Sequence, residues 1–161
     1  GMDERGVTAR TLIAGFGNVL RADDGFGVEV VRRLEREIDG TDGNVVILEV
    51  GTGGVRLVQE LLAGFDRLIL VDAAARGGPP GALYVTRVEG VEPIAEVDPH
   101  ELVPARALAM ARAIGVLPRE VYLVGCEPQQ VEELSLELSP PVQAAVERAV
   151  DAVKRLLRGS S

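Results

Sequence analysis

Thr11-Leu12-Ile13-Ala14-Gly15-Phe16-Gly17-Asn18 reads as a short buried strand over residues 11–14 that runs into a glycine-rich turn. Beyond it, Val28, Val31, Leu34 and Ile38 recur at helical spacing and predict a helix over 26–38, stopped by Gly40-Thr41-Asp42-Gly43. Val45-Val46-Ile47-Leu48 and Leu68-Ile69-Leu70-Val71 are continuous apolar runs, the pattern of strands covered on both faces. A helix over 55–63 separates them. Gly77-Gly78-Pro79-Pro80-Gly81 is a turn, and 82–88 reads as an edge or antiparallel strand. A helix over 101–114, a strand over 121–124 and a helix over 140–157 complete the chain. Ser139 stands as the N-cap of that last helix, with prolines in its first turn and Val142, Val146, Ala149, Val153 and Leu156 along one stripe. Alternating buried strands and helices imply a three-layer α/β/α sandwich with a mostly parallel sheet. Sites in such sheets gather where strand C-termini meet loops, here the ends of the first and third strands.

The 161 residues suit one domain, with a core at about 11–157 and flexible ends at 1–10 and 158–161. Apolar residues make up 47% and charged residues 26%, an ordinary globular composition. Seventeen Lys+Arg against 25 Asp+Glu leave a net charge of -8, which with no basic cluster argues against nucleic acid. The single cysteine, Cys126, excludes an intrachain disulfide framework and a multi-cysteine metal site. No apolar run approaches the ~20 residues of a membrane span, and GMDERGVTAR lacks a secretory hydrophobic segment. Gly1 before Met2 reads as a scar of tag removal. The expected location is the cytoplasm, without membrane insertion.

The turn Gly15-Phe16-Gly17-Asn18-Val19-Leu20 invites comparison with a dinucleotide fingerprint, but Leu20 replaces the third glycine. Asp23 and Asp24 at the mouth of the following helix would repel a pyrophosphate. A nucleotide-binding reading is therefore the weak one. Asp24 as a plain N-cap is the bland alternative. One cap does not need a neighbouring Asp23, and Gly25 and Gly27 cost about 1 kcal/mol each if they lie inside the helix. A local cost without folding gain points to a site. Asp72 follows the third strand, where a rigid element delivers a carboxylate; its bland reading is a loop acid or a cap. His100 is the only histidine and precedes a helix in Asp98-Pro99-His100-Glu101. Two carboxylates and an imidazole suit a borderline divalent cation with an open position, zinc or nickel. Cys126 reads as a small buried hydrophobe, because no second histidine is present to activate it.

Residues Gly15-Phe16-Gly17-Asn18-Val19-Leu20-Arg21-Ala22-Asp23-Asp24-Gly25-Phe26-Gly27 resemble the signature of the nickel–iron hydrogenase maturation proteases. The resemblance continues through Leu70-Val71-Asp72-Ala73, Gly78-Pro79-Pro80-Gly81, His100, Gly125-Cys126-Glu127-Pro128 and Leu134-Ser135-Leu136-Glu137-Leu138-Ser139, in the family's order. The chain departs from the pattern at Cys126, where an aliphatic residue is usual, and after His100, where the common glycine is missing.

The resemblance implies a sandwich around a five-stranded twisted sheet, with Asp24, Asp72 and His100 as both the metal-contacting and the catalytic set. It implies an endopeptidase that removes the C-terminal extension of a nickel-loaded hydrogenase large-subunit precursor. The nickel comes with the precursor, and zinc or another divalent cation is admitted in the isolated protein. The resting state is expected to be a monomer. The reaction is metal-assisted hydrolysis of one amide bond. A cation that polarises the carbonyl or activates water, and a carboxylate base in the manner of an aspartyl protease, both remain open. Asp23 is left an orienting or capping role, and Glu127 has no assigned chemistry. A non-enzymatic assembly factor that binds metal or precursor with the same three residues is the competing reading.

Overall fold

A computed structural model describes residues 9–18, 22–38, 43–89, 102–129 and 136–158. Among these residues the strands are β1 (Thr11–Phe16), β2 (Val45–Gly51), β3 (Arg67–Ala73), β4 (Leu83–Arg87) and β5 (Glu120–Cys126). The helices are α1 (Phe26–Glu37), α2 (Val55–Leu61), α3 (Leu102–Ile114) and α4 (Pro140–Arg158). The five strands form one sheet in the order β2-β1-β3-β5-β4. All neighbouring pairs are parallel except β4, which runs antiparallel along β5 at the edge.

Strand alternation sorts the core into two layers. Ile13, Ile69, Val71 and Val124 point to one face, where Phe26, Val30, Val31 and Leu34 of α1 meet Val142, Val146, Ala149 and Val153 of α4. Leu12, Ala14, Phe16, Leu68 and Leu70 point to the other, against Leu57, Val58 and Leu61 of α2 and Ala107, Leu108 and Ala111 of α3. Every residue of β1 and of β3 is buried, as a parallel strand covered by helices on both faces requires. The α/β/α sandwich expected from the alternation of elements is the architecture observed.

Several boundaries differ from the apolar runs. β1 continues through Gly15 and Phe16, and β3 takes in Asp72 and Ala73, because main-chain pairing outlasts the change in side-chain character. Asp72 is thus a strand residue, opposite Gly125 of β5, and not a loop acid. Before α1 comes an unforeseen 3₁₀ turn, Ala22–Gly25, so the helix proper starts at Phe26. α2 ends at Leu61, short of residue 63. Glu101, the expected first residue of α3, lies outside the described residues.

The order of strands places the switch of direction between β1 and β3. α1 leads from β1 to β2 on one side, α2 leads back to β3 on the other, and such sheets bind ligands beyond the strand ends at this junction. The first turn of α1 sits directly on that junction. A methyl group on Gly27 would run into the carbonyl oxygens of Val71 and Phe16, near the end of each strand. No helix among the described residues is long and apolar enough to cross a membrane.

Gly27→Ala should therefore cost about 2–4 kcal/mol, because the obstacle is backbone and cannot rotate away. Thermal denaturation should show a loss of roughly 5–15 °C in Tm. Gly43→Ala, where an added Cβ meets nothing within 4 Å, should change Tm by no more than about 2 °C.

Candidate active site

Asp24 lies on the 3₁₀ turn, partly exposed, and its carboxylate folds back over the end of β1. Its Oδ2 accepts the Asn18 amide at 3.0 Å. The Asp24 carbonyl rests against Gly17, whose φ of +129° and lack of a Cβ permit that approach. The Gly17 amide in turn donates to Gly51 of β2 at 2.8 Å. The carboxylate does not cap α1: the N-cap residue is Gly25 and no side chain caps that helix. An amide that would face a phosphate in a dinucleotide site is taken here by the chain's own anion.

Asp72 is delivered by β3 and is 5% exposed. Its Oδ1 accepts the amide of Ala73 at 2.8 Å. β1 and β3 are neighbours in register, with Gly15 opposite Val71, so Asp24 and Asp72 belong to the same end of adjacent strands. The first and third strands are thus adjacent, as a meeting of Asp24 with Asp72 requires. His100 lies outside the described residues. Among the described residues no group of three or more His, Cys, Asp and Glu side chains forms a metal-binding cluster.

Two further carboxylates, Asp23 and Glu127, are buried beside these residues. Asp23 is 3% exposed. It accepts the Gln129 amide at 2.8 Å, the Ser139 amide at 2.7 Å and the Ser139 hydroxyl at 2.7 Å. Of the orienting or capping role expected for it, capping of α1 is not what these bonds do. Ser139 keeps its place at the head of α4, its carbonyl accepting the Gln143 amide at 2.8 Å, while its hydroxyl donates to Asp23.

Glu127, 6% exposed, gathers the loop that follows Asp72. Its Oε1 accepts the amides of Arg76 and Gly78 at 2.8 and 3.0 Å and the Tyr84 hydroxyl at 2.6 Å. Burial pushes this carboxyl up. Tyr84 and the amides of Arg76, Gly78 and Gly77 outweigh it and hold the group below the usual carboxylate range. A lone acid between a buried strand and a proline was the one sequence signal for this role.

Cys126 is fully buried in the core. Burial first, and the charge of Asp23 second, push its thiol up to about 12. A neutral, enclosed thiol is no nucleophile at neutral pH, which agrees with its reading as a small hydrophobe.

Because Glu127 is held ionised by the fold, its contribution to stability is complete above the usual carboxylate range and disappears as pH falls through its lowered value. Glu127→Gln should lower Tm by roughly 3–6 °C at pH 7, and the gap to wild type should close as pH falls below the usual carboxylate range. A gap that stays constant across that range would assign Glu127 a role independent of its charge. Alkylation of Cys126 should be undetectable in the native protein and complete on unfolding, read by intact mass.

Residues 28–156 match the family model described as hydrogenase maturation protease, HycI. The hydrogenase 2 maturation protease of Escherichia coli K12 is 35% identical over 154 residues, covering 94% of this chain and 92% of the relative. The hydrogenase expression/formation protein HupD of Rhizobium leguminosarum bv. viciae is 34% identical over 152 residues, covering 92% of this chain and 74% of the relative. Among solved structures, the hydrogenase maturating endopeptidase HybD from E. coli superposes with a TM-score of 0.82 at 35% identity, covering 94% of each chain. The HycI protease of Thermococcus kodakarensis gives 0.78 at 26% identity, covering 93% of each. This chain belongs to the hydrogenase maturation protease family and, as a member of it, is a peptide hydrolase.

Proposed function

We propose that this enzyme removes the C-terminal extension of a nickel-loaded hydrogenase large-subunit precursor by hydrolysing one peptide bond, with Asp24, Asp72 and His100 as its working residues. The observation that carries the reading is the placement of Asp24 and Asp72 at the same end of adjacent parallel strands, at the switch point of the sheet. The nickel is part of the substrate. Two carboxylate oxygens and an imidazole nitrogen form a donor set compatible with a borderline divalent cation, so the precursor's metal would serve as the handle that brings the scissile segment into register. An unloaded precursor lacks that handle, which gives specificity without an elaborate side-chain pocket. A zinc or other divalent ion in the isolated protein would draw on the same donors.

The chain's own contribution to the chemistry is a carboxylate base. Asp24 is partly exposed and anchored through one oxygen to the Asn18 amide, so it remains open to a water or a peptide N–H. Asp72 is buried on a rigid strand, the better environment for a fixed contact. We assign Asp24 the proton transfer and Asp72 the holding role. The reaction is placed in the cytoplasm, on a monomeric enzyme.

Intact mass of the precursor tests this reading. A single C-terminal loss is expected from the nickel-loaded precursor and none from the nickel-free one. Asp24→Asn, Asp72→Asn and His100→Ala should each slow cleavage at least about 100-fold, while Tm stays within a few degrees of wild type. Near-normal cleavage by Asp24→Asn and Asp72→Asn would remove the site assignment.

A further inference from the structure

We propose that Asp23 is a positioning residue for Asp24: its buried carboxylate ties the 3₁₀ turn that carries Asp24 to the exit of β5 and the start of α4. The proposal rests on the reading of Asp24 as a working residue.

Asp23 stands next to a helix start, yet among the described residues its three hydrogen bonds go to donors 106 and 116 positions away in the chain. α1 is left without a side-chain cap although two acids stand in the turn before it. Such an arrangement serves the turn's location, not the helix. The turn also needs an outside hold. Ala22 has φ +48°, the one non-glycine residue with positive φ among the described residues, and it directly precedes Asp23. A strained backbone of this kind persists only where its surroundings fix it.

Successive residues of a 3₁₀ turn are rotated by about 120°. With Asp23 fixed on Gln129 and Ser139, Asp24 is turned away from that anchor toward the end of β1, where Asn18 receives its carboxylate. The Asp24 carbonyl is simultaneously pressed on Gly17, which leaves the turn little freedom of its own. Release of Asp23 would let the strain at Ala22 relax by moving the segment that carries Asp24. A displacement of about 1 Å at a reacting group is enough to cost 100-fold in rate.

Asp23→Asn is the direct test. The amide keeps the shape, but whichever way it is turned its NH₂ faces a backbone N–H of Gln129 or Ser139, and one hydrogen bond becomes a donor–donor contact. Native-state hydrogen exchange at the Asn18 amide reads the Asp24 contact directly, with Ile13 and Ile69 as core references. We expect Asn18 to exchange at least about 10-fold faster with both references unchanged, and kcat on the nickel-loaded precursor to fall about 10–100-fold with KM within about threefold. Ser139→Ala removes only the hydroxyl bond and keeps the test open if Asp23→Asn does not fold; it should shift both quantities by about two- to fivefold in the same directions. Unchanged Asn18 exchange and unchanged kcat in a folded Asp23→Asn, alongside an inactive Asp24→Asn, would overturn the positioning role and leave Asp24 in place. Normal cleavage by Asp24→Asn would overturn both.

Discussion

The contact on which the site depends is the seating of α1 on bare backbone. Gly27 brings the first turn of the helix against the carbonyls of Phe16 and Val71, so the helix begins where β1 and β3 end and holds their relative position. Gly15, beneath it, has the Gly27 carbonyl and Val31 where a side chain would stand. The helix propensity lost at a glycine in the first turn is offset by a helix start placed without side-chain thickness between it and the sheet. That approach brings the turn carrying Asp24 to the end of the strand that carries Asp72.

Around this contact the exit of β5 acts as a common anchor. The Cys126 carbonyl accepts the Ala74 amide at 2.9 Å. The Glu127 side chain holds the 76–78 loop and Tyr84, and the Gln129 amide holds Asp23. One short segment therefore braces both the turn before α1 and the loop after Asp72. Asp23 and Glu127 are satisfied, among the described residues, by amides and hydroxyls. Directional bonds to main chain satisfy a buried anion while fixing a backbone, which a mobile lysine would not do. The candidate site is thus rigid on two sides, and its two aspartates differ in environment: Asp24 partly open, Asp72 enclosed.

The sheet and its helices were legible because burial on both faces leaves continuous apolar runs, as at 68–71, and burial on one face leaves a stripe, as in α4. The place of Asp24 after β1 and of Asp72 on β3 was legible because each follows a continuous apolar run. The work of Asp23 and Glu127 was not legible, because their partners lie far away in the chain and no local pattern encodes a bond from residue 23 to residue 139. Arg67 makes the same point at the opposite end of β3. It stands one residue before the apolar run 68–71, and it is 2% exposed, paired with Glu120 at 2.9 Å and bonded to the Leu156 carbonyl at 3.2 Å. The 3₁₀ turn escaped prediction for a similar reason: its strain at Ala22 is held by tertiary bonds, not favoured by its sequence.

On the proposed reading, the scaffold presents Asp24 and Asp72 together to one divalent cation. Anomalous diffraction at the nickel edge, from crystals of the enzyme soaked in nickel, would locate that ion. One peak is expected at about 2.0–2.2 Å from a carboxylate oxygen of each aspartate. Nickel bound elsewhere, with both carboxylates uncoordinated at saturating metal, would contradict it.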